Sequence, residues 1–305
     1  MTAVFKNSYL FSVLLTTQLI KQTATAQPQN LEITYEQTDQ GYDFYCQNPN
    51  ESPYLVKINF SILKNLRPNF SLKKEITVTS GRQRIFSLKK ERDNQSTNFN
   101  YSWSYRKGSL PVKIDPDFAY LLPLQPNKIT RPLDVKYVGE VIGQPEGKPK
   151  DWYCVGLTMG KVDTIVAARS GYVIEVEDQI HFPKDHLLMT KKMNYVEILH
   201  QDGTIGKYQL FQKEGVLVRA GEQVIAGQVL GIVESEHFEH GPHLRFSVYY
   251  ALPGEGYGYV PLKFHAAGIN QQPTYQKQYK VEHPPALIEQ ELSKRQKKKL
   301  KKRKS

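Results

Sequence analysis

Eight histidines and two cysteines are the side chains of this 305-residue chain best suited to hold a metal or attack a bond. The histidines stand at 181, 186, 200, 237, 240, 243, 265 and 283, so the first 180 residues contain none. His237, His240 and His243 recur at every third position beside Glu234, Glu236 and Glu239, a composition that could hold zinc or copper. A polar, solvated loop has the same composition, and a loop without fixed geometry rarely orients three ligands. Cys46 and Cys154 form no Cys-x-x-Cys pair. In an oxidising compartment they could bridge; as free buried thiols they would be inert. No Gly-x-Ser-x-Gly elbow and no phosphate-cradling Gly-Lys-Ser/Thr loop occurs, so serine-hydrolase and nucleotide chemistry lack a template.

The elements that would position these residues read as strands. Apolar residues make up 39% and aromatics 11%, with 19 Tyr and 13 Phe, a composition that favours sheets over helix bundles. Alternation marks Leu31–Tyr35, Tyr42–Gln47, Tyr54–Phe60, Glu75–Thr79 and Arg84–Leu88. These are the strands expected of a small β-sandwich. Pro111–Lys150 is rich in Pro and Gly and suits a connection wrapped on the surface. A second series follows: Thr164–Ala168, Tyr172–Glu177, Tyr195–His200, Thr204–Leu210, Val216–Arg219, Gln223–Ala226, Val229–Val233 and Leu244–Tyr250. Asp202-Gly203 between two of them is a hairpin turn, because glycine takes a positive φ without strain. One helix is expected over Pro285–Leu300.

The two ends differ from the body. Lys6, an apolar run over Tyr9–Ile20 and the Ala24-Thr25-Ala26 pattern read as an export signal cleaved after Ala26. That run is short and interrupted by Ser12, Thr16, Thr17 and Gln18, so it is not expected to span a bilayer. The mature chain is therefore expected to be secreted, periplasmic or in the cell envelope. Nine of the eleven net positive charges lie in Lys294–Ser305, which leaves the body nearly neutral. Such a run is usually a solvated tail; its sharper reading is an arm for anionic lipid or lipopolysaccharide, with nucleic acid disfavoured by the export signal.

Four ordered blocks carry a family likeness. Val166-Ala-Ala-Arg-Ser-Gly-Tyr-Val173, Asn194-Tyr-Val-Glu-Ile-Leu-His-Gln-Asp-Gly-Thr204 with Tyr208, Val218–Val233, and Gly241-Pro-His-Leu-Arg-Phe246 together resemble the core of lysostaphin/LytM-type zinc endopeptidases. The resemblance covers roughly residues 136 to 252. Its Gly-rich third block alone is shared with lipoyl and biotinyl carriers, but the modifiable lysine of a carrier is here Gln228. The implied architecture is all-β. An N-terminal β-sandwich-like domain (27–134) would precede a LytM-type antiparallel β-core, the duplicated hybrid motif (135–270). A linker, short helix and basic tail (271–305) would follow.

The resemblance also implies chemistry. Such enzymes cut peptidoglycan peptides with zinc held by two His and one Asp, leaving a position for an activated water. Carried over by position, the ligands of His-x-x-x-Asp fall on Trp152 and Gly156, and the second His of His-x-His falls on Arg245. The auxiliary His of Tyr-x-His-Leu falls on Leu210, following Tyr208, while the first His of the pair is retained as His243. No histidine lies upstream of Ala167-Ala168 and no His-x-His occurs, so a shifted alignment does not restore the site. Arg245 also places a cation where a divalent ion would sit, at about 4 kcal/mol per unit charge at ~4 Å and an effective dielectric near 20.

The expectation is a zinc-less scaffold with His243 as its one retained catalytic-type histidine. Its groove would be lined by Trp152, Tyr153, Gly156, Tyr208, Leu210 and Arg245, with Arg245 suited to carboxylates. Its partners would be peptidoglycan peptides or a cell-wall hydrolase. An active zinc endopeptidase with unusual ligands and a structural envelope-attachment protein are the alternatives.

Overall fold

The computed structural model describes residues 29–72, 75–137, 148–160, 163–181, 193–233 and 241–304. The export signal over 1–26, His186, and the His237 and His240 positions of the candidate metal cluster lie outside the described residues.

Seven strands build the N-terminal half: β1 (Glu32–Thr38), β2 (Gly41–Asn48), β3 (Tyr54–Lys64), β4 (Leu66–Pro68), β5 (Ile76–Val78), β6 (Gly81–Lys90) and β7 (Asn98–Lys107). They form two sheets, ordered β1-β2-β6-β4 and β5-β3-β7. Alternation decides the inward faces: Phe44 and Cys46 on β2, Val56 and Ile58 on β3, and Phe86 and Leu88 on β6 meet in one core. Each large apolar side chain so enclosed contributes roughly 1.5–3 kcal/mol. This is the sandwich expected from the sequence, with β7 added. That strand was not anticipated, yet Phe99, Tyr101 and Trp103 alternate along it and pack on the same core.

The chain then crosses through β8 (Ala119–Tyr120), β9 (Ile129–Thr130) and β10 (Pro132–Asp134). A purely superficial connection is not what forms here. Ala119–Leu122 and Leu124 are almost fully buried and belong with the second half, because β8 pairs with a late strand and Leu124 bridges Ile165.

The second half contains β11 (Val155–Thr158), β12 (Asp163–Val166), β13 (Gly171–Glu177), β14 (Tyr195–Leu199), β15 (Ile205–Gln209), β16 (Phe211–Val216), β17 (Gln223–Val224), β18 (Val229–Val233), β19 (His243–Ala251) and β20 (Tyr257–Tyr259). The larger sheet runs β10-β11-β19-β15-β14-β13-β17, with β20 on β19, and a smaller sheet runs β12-β18-β16. Val155, Leu157, Val196, Ile198, Tyr208, Phe246 and Val248 of the larger sheet close on Ile165, Phe211, Leu230 and Val233 of the smaller one. The expected strand over Val216–Arg219 is instead β16, which ends at Val216. At the β14–β15 hairpin Gly203 takes φ +87°, as the Asp-Gly pair requires.

Three late strands, β21 (Lys263–Ala266), β22 (Ile269–Gln271) and β23 (Tyr279–Lys280), return to the connection: β21 lies parallel to β8 and β23 pairs with β9. Two helices replace the single one expected: α1 (Pro285–Glu289) and α2 (Lys294–Lys304). Ser293 starts the second, its hydroxyl accepting from the Gln296 amide N–H at 3.3 Å. No helix of the described residues is long and apolar enough to cross a membrane.

The halves are fastened together by polar contacts at one place. Ser52 donates to the Ile174 carbonyl at 3.2 Å. Arg106 pairs with Glu75 at 2.7 Å and donates to the carbonyls of Leu252 and Gly256. Lys107, at the end of β7, reaches Glu175 and Glu197 of the second half. Cys46 and Cys154 are both buried free thiols, the first in the sandwich core and the second beside the groove described next.

Candidate functional site

Strand parity creates the site. On β19 the side chains of Leu244, Phe246 and Val248 enter the core, so Arg245, Ser247 and Tyr249 face the other way. Lys207 and Gln209 on β15, Glu197 on β14 and Cys154 just before β11 share that face. They line a groove of about 500 Å³, joined by Lys107 from the sandwich, Val135–Tyr137, Trp152, Met193, Tyr257 and Tyr259.

One wall is aromatic. Tyr137 and Trp152 lie 5.7 Å apart, Trp152 and Tyr259 6.4 Å, and Tyr259 and Tyr249 6.2 Å; Tyr257 stands edge-on to Tyr249 at 5.4 Å. The wall adjoins an ionic cluster, for Tyr257 donates to the Lys107 carbonyl at 3.1 Å. Glu197 is buried and receives Lys107 at 2.6 Å and Lys207 at 2.9 Å, while Lys107 and Tyr195 also bond Glu175. Burial alone would raise the Glu197 carboxyl, but the two lysines outweigh it and hold the group down at about 2. Glu197 is therefore an ionised counter-charge, unsuited to act as a general base near neutrality. Cys154 is the reverse case: burial pushes its thiol up to about 12, so it stays protonated and is a poor nucleophile.

At the position that resemblance assigns to zinc, the donors are wrong. Arg245 and Gly156 are direct partners across β19 and β11, and Thr158 faces His243 in the same ladder. His243 is buried; its Nδ1 lies 2.7 Å from the Gly241 carbonyl and its Nε2 3.3 Å from Arg245 Nε. Arg Nε can only donate, so His243 Nε2 accepts and its Nδ1 carries the proton. The one retained family histidine is thus oriented by a guanidinium. Gly156 has no side chain to offer, and a Cβ there would come within 3.0 Å of Leu133 and 3.1 Å of Val135. The residues present do not fit zinc in the family's arrangement, and no other group of three or more His, Cys, Asp or Glu suited to a metal occurs among the described residues.

Of the residues singled out by sequence, Trp152 and Arg245 line the groove and Gly156 and His243 adjoin it. Tyr208 and Leu210 do not. Both are fully buried on the core side, where Tyr208 Oη accepts the Ala168 N–H at 2.8 Å. Their neighbours Lys207 and Gln209 take the groove positions by alternation. Leu210 additionally holds φ +82°, a left-handed form costly for a branched side chain. Tyr153 packs against the core, and burial raises its phenol. His200 bonds the Ser170 carbonyl through Nδ1 at 2.9 Å and is a buried turn residue. Sequence reasoning missed Lys107, Glu197, Lys207 and the Tyr249–Tyr257–Tyr259 cluster. A charge in the middle of the apolar run Tyr-Val-Glu-Ile-Leu was the available signal for Glu197.

Fold and groove together define an all-β, peptidase-like β-core with its cleft on the open face of the larger sheet. Comparison with known families makes this specific: residues 150–257 match the model of Peptidase family M23. No curated protein matches the chain. Solved structures similar to it include a chain of the SpoIIQ–SpoIIIAH pore-forming complex, 19% identical, covering 45% of this chain and 89% of that one at a TM-score of 0.30. Lysostaphin in solution is 22% identical over 40% of this chain and 49% of its own, TM-score 0.29, so the chain spans about half of that protein. Csd3 of Helicobacter pylori is 15% identical over 90% and 78%, TM-score 0.27.

Proposed function

We propose that this chain is a non-catalytic, peptidase-like protein of the cell envelope that uses the former cleavage groove to bind peptidoglycan peptides or a cell-wall hydrolase. The observation that carries the reading is the direct pairing of Arg245 with Gly156 at the zinc position. A permanent cation replaces one ligand, a hydrogen atom replaces another, and Leu133 and Val135 crowd the space an aspartate would need. Without the metal no water is acidified, and neither Glu197 nor Cys154 substitutes for it in the protonation state each holds. The groove itself survives, with an intact sheet floor and an aromatic wall, which is the form of a recognition site.

Export by the N-terminal segment and adhesion of the basic end to anionic lipid or lipopolysaccharide belong to the same proposal. The purified chain is expected to hold no stoichiometric zinc, to leave peptidoglycan suspensions turbid, and to sediment with peptidoglycan. Metal analysis, turbidity clearing and a pull-down check these in turn. Bound zinc together with clearing would establish an active endopeptidase instead; failure to sediment with peptidoglycan would leave the hydrolase as partner.

A further inference from the structure

The basic end of the chain is more ordered than its composition suggests. Gln290 donates to the Ala119 carbonyl at 3.1 Å, Glu291 accepts from Arg169 at 2.7 Å, and Leu292 is buried. The clamp is deeply set: Arg169 is 4% exposed, lies 3.8 Å over the Phe118 ring and also pairs with Asp202 at 2.7 Å. Only Ser293 separates the buried Leu292 from α2, and its hydroxyl donates to the Gln296 side-chain oxygen at 2.7 Å. The helix therefore starts from a point fixed on the body, with no flexible joint before it.

Along α2 the residues sort onto two unlike arcs. At about 100° per residue, Gln296, Lys297 and Leu300 fall on one side, and all three are partly buried. Lys294, Arg295, Lys298 and Lys299 fall on the other, and all four are exposed. The helix carries no acid, and its one apolar residue, Leu300, lies on the shielded arc.

That arrangement narrows the occupant. A helix that enters lipid turns its apolar side to the acyl chains; here that side is shielded, so contact is electrostatic and superficial. The four exposed cations form two rows, Lys294 with Lys298 and Arg295 with Lys299, each spaced about 6 Å along the axis. A linear polyanion can follow one row, whereas a charged plane meets both at once.

We infer that α2 is a rigid cationic foot that rests on the headgroup phosphates of an anionic phospholipid bilayer through Lys294, Arg295, Lys298 and Lys299, without inserting. The inference deepens the proposed adhesion of the basic end and rests on that reading. The Arg169–Glu291 clamp makes the foot a stand, because the fold then decides which face of the helix meets the membrane.

The test is sedimentation of the full chain with mixed phosphatidylglycerol and phosphatidylcholine vesicles at low salt, comparing wild type, Lys298→Gln and Lys297→Gln. A flexible tail counts every lysine alike, so both variants would lose the same affinity. A foot counts only its exposed arc: Lys298→Gln should weaken binding about fivefold and Lys297→Gln should leave it unchanged. In a Glu291→Gln background the two should lose affinity alike, with thermal melting to confirm that each variant folds. Equal losses in the unaltered background would overturn the foot while leaving adhesion by the basic end. A difference that persists in Glu291→Gln would overturn the role given to the clamp. Binding to pure phosphatidylcholine vesicles would overturn headgroup contact, and tighter binding to soluble polyphosphate than to vesicles would overturn the bilayer as occupant. Failure of the wild type to sediment with the anionic vesicles would overturn the adhesion reading and the inference with it.

Discussion

In the proposed reading, Arg245, Gly156 and His243 mark a catalytic position vacated without disturbing the strands that frame it. Restoring one ligand should therefore not restore a metal site. Gly156→Asp would push a Cβ against Leu133 and Val135. The expected result is a loss of roughly 1–3 kcal/mol in chemical denaturation and no zinc retained after dialysis. The expectation that the ligand positions fall on Trp152, Gly156 and Arg245 came from residue types and spacing, with the four ordered blocks setting the register. The orientation of Tyr208 and Leu210 was not read correctly. The alternation Lys207-Tyr208-Gln209-Leu210 does place polar and apolar side chains on opposite faces, but a likeness to groove residues outweighed it.

His200 yields a pH prediction at the same scale. Burial first, and the neighbouring Arg169 second, hold its imidazole well below the ordinary value, and its Nε2 has no hydrogen-bond partner among the described residues. The unfolded chain takes up the proton near pH ~6.5 while the folded one refuses it. Stability is accordingly full above that pH and falls as the pH drops below it, by up to about 1.4 kcal/mol per unit. Denaturation midpoints measured between pH 7 and pH 5 should fall in the wild type. The decline should be shallower in His200→Gln.

At the scale of elements, most strands followed from alternation and turn residues, and Val229–Val233 forms with the expected bounds. β7 was legible too, since Phe99, Tyr101, Trp103 and Tyr105 alternate with Asn and Ser, but its polar half resembles a loop. The buried course of Ala119–Leu124 was not legible, because its pairing strand lies about 140 residues later and no local pattern reports it. The split between α1 and α2 reflects a local cause that sequence did contain, namely Ser293 and Gln296 starting a new helix. The ion network between β7, β13, β14 and β15 is the element-scale prediction. Glu197→Leu leaves Lys107 with Glu175 alone and Lys207 without its carboxylate, and should cost about 3 kcal/mol in urea unfolding. Removing an exposed pair such as Arg82–Glu36 should cost under about 1 kcal/mol.

Across the whole molecule, charge is concentrated where the fold ends. The nine basic residues of Lys294–Ser305 leave a nearly neutral body. Like charges three and four residues apart weaken an isolated helix, so α2 gains from any anionic surface that screens them. Truncation after Ser293 should leave the melting temperature of the body nearly unchanged. It should also abolish sedimentation with phosphatidylglycerol vesicles, and sedimentation of the full chain should decline as salt is raised.

The return of the chain's last quarter to its middle has a kinetic meaning. Tyr279 and Val281 complete the core around Tyr120 and Leu122, His283 bonds the Leu122 carbonyl, and Gln290 bonds that of Ala119. A nascent chain emerging from the ribosome cannot seal that core until nearly all of it has emerged. Until then Leu121, Leu122 and Leu124 remain open to water and to any chaperone waiting there.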